Sequence, residues 1–431
     1  MKKLSLILMS ILALGLMASC SSSDDNTTNV NNNELVTGTK TLTLNIVGAQ
    51  PMQGRSIGTV SADEGHPLQV GGNEATINNL IVVVYDNTSG HFEPANKFVN
   101  PSALGGTITE KVYFKSTNPS IFVLANVPLN TVDAIVGDSH TLADFQALTA
   151  SLDVTSITGD ATGTSQVPTN LPMIGSSTTL TANGTENVGA TTIQKYTANV
   201  TLYRMVSRVA LTSFETKFTT TGESFTITDV FIKNAKNTSK FAGVDIASEV
   251  GKATMNGTPG LSSVEYDGMA VSNTAVGVTP NSVLPYLGST YSTSPTFGAD
   301  GLINEPPYFY VFPNNSATFD KKTQLVIKGL YKKDDSSLPE ERYYVCVVNA
   351  VPDGTKVTYT APTGGSLPTD AGSGTIAANR KYSLKVTVVG APQTPNDVAQ
   401  DVDPTPQGTN NVELTITVAE WGADIIQNVN F

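Results

Sequence analysis

Cysteine is nearly missing from this chain: its 431 residues hold two, Cys20 and Cys346. With Cys20 consumed near the N-terminus, as argued below, no intramolecular disulfide is left, and stability must come from packed apolar surface. Tryptophan occurs once and histidine three times. His66, His91 and His140 are scattered, without metal-ligand spacing and without a nucleophile motif beside them. Charged residues make up only 14%, and acidic ones outnumber basic ones 37 to 25, for a net charge of −12. A surface of that sign, with pI near 4.7, argues against nucleic acid and anionic lipid surfaces as partners. Phosphate-binding loops, nucleophile elbows and zinc signatures are also missing. The expectation is a protein that is not an enzyme and uses no cofactor.

Thr, Ser, Asn, Gly and Val are plentiful instead, the composition of an exported β-protein. At the start, Lys2 and Lys3 precede an apolar run from Leu4 to Met17 and the small residues Ala18 and Ser19, the layout of a cleavable export signal. The run falls short of the roughly 20 residues that span a bilayer, and nothing later is long and apolar enough. Met17-Ala18-Ser19-Cys20 resembles a lipoprotein processing box, with Cys20 as the acylated residue and residues 1–20 as the signal. Residues 21–33 are too polar to pack and read as a tether. Within it, Asp24 and Asp25 resemble a surface-export signal.

The remaining length predicts two or three domains. Short β-branched and aromatic runs broken by Gly, Pro, Asn and Asp recur throughout, as in β-sandwiches. Examples are Leu80 to Tyr85, Ile121 to Ala125, Phe225 to Ile232, Tyr308 to Phe312, Leu325 to Tyr331 and Tyr343 to Val348. One helix is expected, over Thr131 to Ala150, where Val132, Ile135, Val136, Leu142, Phe145 and Leu148 give a broken helical period. The Gly/Thr-rich stretch from Ile174 to Thr191 reads as a linker or long loop, and Val200 to Phe214 as a new strand. The boundary is expected near Lys195, giving domains over 56–195 and 196–410. Pro392, Pro395, Pro404 and Pro406 make the following stretch an extended connector, before a last strand within 411–431.

Two strand patterns match. Thr41-Leu42-Thr43-Leu44-Asn45-Ile46 alternates polar and apolar, and Glu413-Leu414-Thr415-Ile416-Thr417-Val418 does so residue for residue. Either sequence fits one hydrophobic groove. Between the first strand and the body lies Gln50 to Gly58, rich in turn formers and open to proteolysis. A trypsin-like protease cutting between Arg55 and Ser56 would detach residues 21–55, strand included. The vacated groove would expose apolar side chains and unpaired backbone until another strand filled it. A neighbour's C-terminal strand filling it makes a head-to-tail contact that grows filaments.

Eight segments span nearly the whole chain in order: Ala75 to Tyr85, Phe122 to Asn126, Leu171-Pro172-Met173, Leu202-Tyr203-Arg204-Met205-Val206-Ser207-Arg208-Val209, Tyr308 to Phe312, Leu325 to Tyr331, Asn379 to Leu384, and Val418-Ala419-Glu420-Trp421 with Gln427-Asn428-Val429. Together they resemble the fimbrillin family of Bacteroidales, the FimA-type major fimbrial subunits. The resemblance implies an all-β chain of two transthyretin-like β-sandwich domains with few short helices, lipoprotein export to the outer membrane and cell surface, and donor-strand exchange. Arg55 would precede the processed bond; Leu42, Leu44 and Ile46 would belong to the displaced strand, and Val412, Leu414, Ile416 and Val418 to the donor strand. The implied partners are other copies of the chain and related fimbrial subunits, the membrane through the precursor's lipid, and the processing protease. A cleavage loop together with a donor tail fits a stalk subunit supporting adhesion. The alternatives are a tip or anchor subunit, or a glycan-binding surface lipoprotein.

Three features have bland readings. Asp397, Asp401 and Asp403 lack the glycine and closing Glu of a calcium loop and read as a solvated connector. Cys346 lies in a strand apolar on both faces and reads as core. Trp421-Gly422 marks either a bend in the tail or a core aromatic.

Overall fold

The β-branched runs become strands wherever they find edges to pair with. A computed structural model of the chain describes residues 39–48, 77–99, 107–136, 140–151, 170–188, 191–233, 235–236, 238–241, 308–315, 322–349, 356–360, 374–394 and 412–420, with two-residue strands at 265–266, 270–271 and 278–279. Up to Arg204 the chain forms β1 (Lys40–Gly48), β2 (Asn79–Asp86), β3 (His91–Phe92), β4 (Asn96–Val99), β5 (Thr107–Phe114), β6 (Pro119–Ala125), α1 (Leu142–Ala147), β7 (Thr149–Ser151), β8 (Met173–Ser177), β9 (Thr181–Val188) and β10 (Thr191–Arg204). Then follow β11 (Ser207–Thr216), β12 (Ser224–Lys233), β13 (Ala235–Lys236), β14 (Thr238–Lys240), β15 (Glu265–Tyr266), β16 (Ala270–Val271), β17 (Val278–Thr279), β18 (Tyr308–Val311), β19 (Gln324–Lys332), β20 (Glu340–Val347), β21 (Lys356–Thr360), β22 (Arg380–Val388) and β23 (Val412–Glu420). Among the described residues the chain is all-β apart from one short helix, as the sequence predicts.

The N-terminal strands build one sheet in the order β3-β2-β6-β8-β10-β1-β5, with β4 on β2 and β9 on β10. It curls until its two edges meet. The Asn96 side chain of β4 accepts from the Tyr113 backbone N–H of β5 and donates to the Tyr113 carbonyl, both at 3.3 Å. One core fills the curl, drawing Leu80, Val82 and Val84 from β2 and Ile121, Val123 and Ala125 from β6. The alternate residues of the same strands, Ile81, Val83, Phe122 and Leu124, point into a second core on the opposite face. Burial on both faces is why β2 and β6 are apolar without alternation.

The second core reaches across the chain. It takes in Phe145 of α1, then Met205 and Val206, then Phe241, Tyr310, Phe312 and Ala378. A third core lies among the C-terminal sheets, β18-β11-β22-β23-β21 and β12-β19-β20. Buried Ser207 ties the junction, its hydroxyl donating to the Ala377 carbonyl and accepting from the Arg380 N–H.

Three expectations are corrected. The stretch 174–191 is no linker, because β8 and β9 both pair with β10. Its threonines suit an exposed strand at the edge of a sheet, where side chains need no core. The expected helix shrinks to Leu142–Ala147. Val132, Ile135 and Phe145 are buried as their spacing suggests, but Gly137 and Asp138 interrupt the period with two poor helix formers. The boundary placed near Lys195 falls within β10, and the chain changes sheets between Arg204 and Ser207.

Candidate assembly site

The strand Lys40–Gly48 is an inner strand of the curled sheet. It runs parallel to β10, from Lys40 opposite Gln194 to Gly48 opposite Leu202. On its other side it is antiparallel to β5, with Thr41 opposite Tyr113, Leu42 opposite Val112 and a register shift before Leu44. Leu42 and Leu44 are 1% and 0% exposed. They enter the core beside Val112, Phe114, Ala198, Val200 and Leu202. Ile46 lies in the strand opposite Val200.

Polar contacts hold the beginning of β1. The Lys40 ammonium donates to the carbonyls of Lys115 at 3.1 Å and Ser116 at 2.5 Å, and lies 5.5 Å from the centre of the Phe114 ring. From the opposite side, the Glu93 carboxylate accepts the Lys115 and Ser116 amides at 2.8 and 2.6 Å. Burial pushes the Glu93 carboxyl up, against the lowering effect of those two amides. The 115–116 turn is thus clamped by an ammonium on its carbonyls and a carboxylate on its amides. Nothing in the sequence pattern pointed to Lys40 as an anchor, since Glu93 and Lys40 are far apart in the chain.

The C-terminal strand, β23, is also an inner strand. It is antiparallel to β22, with Val412 opposite Val388, Leu414 opposite Val386, Ile416 opposite Leu384 and Val418 opposite Tyr382. It is parallel to β21, with Leu414 opposite Val357 and Ile416 opposite Tyr359. The two strands with matching sequences therefore have matching surroundings: each lies between one parallel and one antiparallel neighbour. The structure does not bring them together, for they belong to different sheets. Cys20, Arg55, Ser56, His66, Asp397, Asp401, Asp403 and Trp421 lie outside the described residues.

Elsewhere, chemistry is sparse. His91 lies 3.3 Å through Nδ1 from the His140 carbonyl, and the His140 imidazole is 3.9 Å from Asp144. No helix among the described residues is long and apolar enough to cross a membrane. Cys346 is buried in the third core, and burial pushes its thiol up to about 12.

Among the described residues the chain is thus a β-protein in which β1 and β23 are both inner strands of their sheets. Residues 40–204 match the family described as Major fimbrial subunit protein (FimA). The matched span starts at the first residue of β1 and ends at the last of β10, the limits of the N-terminal sheet. Similar solved structures include a fimbrilin from Porphyromonas gingivalis, at 17% identity and TM-score 0.51, covering 90% of this chain and 99% of that one. A candidate cell adhesion protein from Parabacteroides distasonis is similar at 16% identity and TM-score 0.54, covering 90% of this chain and all of that one. A candidate cell adhesion protein from Bacteroides eggerthii has 18% identity and TM-score 0.52, with 92% and full coverage. These likenesses show the shared fold. The comparison with curated proteins gives no match.

Proposed function

We propose that this chain is a structural stalk subunit of a cell-surface fimbria that polymerises by strand replacement and supports adhesion. It is exported as a lipoprotein acylated at Cys20 and cut between Arg55 and Ser56, and β1 then leaves. The C-terminal strand of another copy, with Val412, Leu414, Ile416 and Val418, enters between β5 and β10. Two sandwich domains, meeting between Arg204 and Ser207, would carry the acceptor groove and the donor strand at opposite ends of the chain.

One observation carries this reading: β1 and β23 share their alternation and the polarity of their neighbours, so one strand can replace the other without reversing either pairing. Removing β1 returns Leu42 and Leu44 to water, at about 1.5–3 kcal/mol each. It also leaves the inward backbone groups of β5 and β10 unpaired. An incoming strand offsets both. The donor in turn must leave β21 and β22, so exchange swaps one set of ladder bonds for another, and the gain lies in refilling a groove that cannot refill itself.

Limited trypsin digestion of the purified precursor tests this. The expected product begins at Ser56 and forms ladders on gels without boiling, whereas Arg55→Ala stays uncut and monomeric. A product starting at Ser56 that remains monomeric would sink the mechanism. N-terminal sequencing of surface material separates stalk from anchor, because an anchor retains acylated Cys20.

A further inference from the structure

The alternation of Leu414, Ile416 and Val418 leaves one matter undecided. A slip of one residue would turn every apolar side chain to the wrong face, but a slip of two preserves the apolar face. Something polar must select among the even registers.

In the register where Leu414 replaces Leu42 and Ile416 replaces Leu44, Glu413 takes the place of Thr41. Thr41 lies opposite Lys195 on the parallel neighbour β10 and opposite Tyr113 on β5. Lys195 is half-buried and forms no ion pair among the described residues. Within its own sheet β23 has an equivalent arrangement. Its register sets Glu413 opposite Lys356 on the parallel neighbour β21 and Thr415 opposite Thr358. The groove beside β10 offers the same two residue types in the same order, Lys195 and Thr197 opposite Thr41 and Thr43. Lys-x-Thr on the parallel neighbour is thus common to the strand's present berth and to its proposed one.

From this coincidence we infer that Glu413 of one subunit pairs with Lys195 of the next, and that this pair fixes the register of the exchanged strand. The inference rests on the strand replacement proposed above. A shift of two residues would set Asn411 or Thr415 against Lys195 and lose the pairing. Cross-strand pairs of opposite charge stabilise a sheet modestly and like charges oppose it, so the pair acts on register more than on total affinity.

The test uses full-length chains processed at Arg55, with assembly followed by light scattering and gel ladders. Lys195→Glu alone should slow assembly about five-fold, since Glu413 then meets a carboxylate. Adding Glu413→Lys to the same chain should return it to near the original rate. Glu413→Lys alone disturbs both berths of the strand, so rescue in the double variant is the decisive reading. A K195C/E413C chain adds a measurement that does not depend on rates. Its two new thiols are separated in the monomer by membership of different sheets and meet only in the exchanged register, so oxidation should give covalent ladders. Cys346 is buried and does not compete. If wild type assembles, K195E assembles equally fast and K195C/E413C gives no covalent ladder, the pair is overturned and strand replacement stands. If processed wild type does not assemble at all, strand replacement itself fails, and the pair with it.

Discussion

At the scale of single residues, the proposed strand replacement makes Lys40 a mark of the precursor against its processed form. Its ammonium is bonded to two carbonyls and lies over Phe114, whereas the donor strand has Val412 at that place. Lys40→Met should weaken the seating of β1 by about 1–2 kcal/mol. Urea unfolding should show the loss in the precursor and not in the polymer. Asp334 reports on a different place, the turn between β19 and β20. Hydrogen bonds from the hydroxyls of Ser336 and Ser337 hold its carboxyl at about 2, below the ordinary 3.8. A carboxyl lowered on folding stabilises above its unfolded value and loses that contribution as pH falls through its folded one. The contribution should therefore be full at pH 5 and disappear between about 4 and 2. In Asp334→Ala, the fall in urea midpoint between pH 5 and pH 2 should be smaller than in wild type. Asn126, Asn349 and Asn379 all adopt left-handed backbone, with φ of 57°, 58° and 56°. Asparagine tolerates that conformation better than most residues with a side chain.

At the scale of elements, the proposed strand replacement makes β1 a separable part. Leu44 is fully buried, and Leu44→Ala should destabilise the precursor by about 2–5 kcal/mol through lost burial and a cavity. Once residues up to Arg55 have gone, the substitution should have no effect on the assembled filament, and thermal melts of the two forms would show the difference. An equal loss in both would mean that β1 stays in place. Gly175 in β8 shows how tightly the neighbouring strand packs. A β-carbon there would collide with the Thr201 carbonyl and the Val200 side chain of β10, so Gly175→Ala should weaken precursor and filament alike, by about 1–3 kcal/mol.

At the scale of the whole molecule, β10 and the strand Val412–Glu420 belong to different sheets, so the proposed donor and acceptor do not block each other. A chain lacking residues 412–431 would keep the groove and lose the donor. Its own sheet would also open between β21 and β22, so a lower melting temperature is expected. Mixed at low ratio with processed wild type, it should bind a donor, offer none in return and shorten the filaments. Unchanged lengths by electron microscopy would rule out the C-terminal strand as donor. If the truncated chain alone still formed filaments, the same conclusion would follow.

Strand identity and burial were legible because period-two alternation and unbroken apolar runs are local signals: Leu80 to Val84 and Ile121 to Ala125 are strands buried on both faces, as their composition requires. The matching patterns of β1 and β23 were legible for the same reason. Local signals gave the wrong reading where a partner strand decided the outcome. The polar stretch 174–191 became strand because β10 supplied an edge, and Val200 to Phe214 was divided between two sheets at Met205-Val206. What the sequence by itself determined is an all-β chain whose first and last strands are interchangeable in pattern. Only the tertiary structure decided that each is an inner strand between one parallel and one antiparallel neighbour, with Lys195 and Lys356 at equivalent positions. Strand order and register arise from contacts between residues far apart in the chain, and no window of sequence contains them.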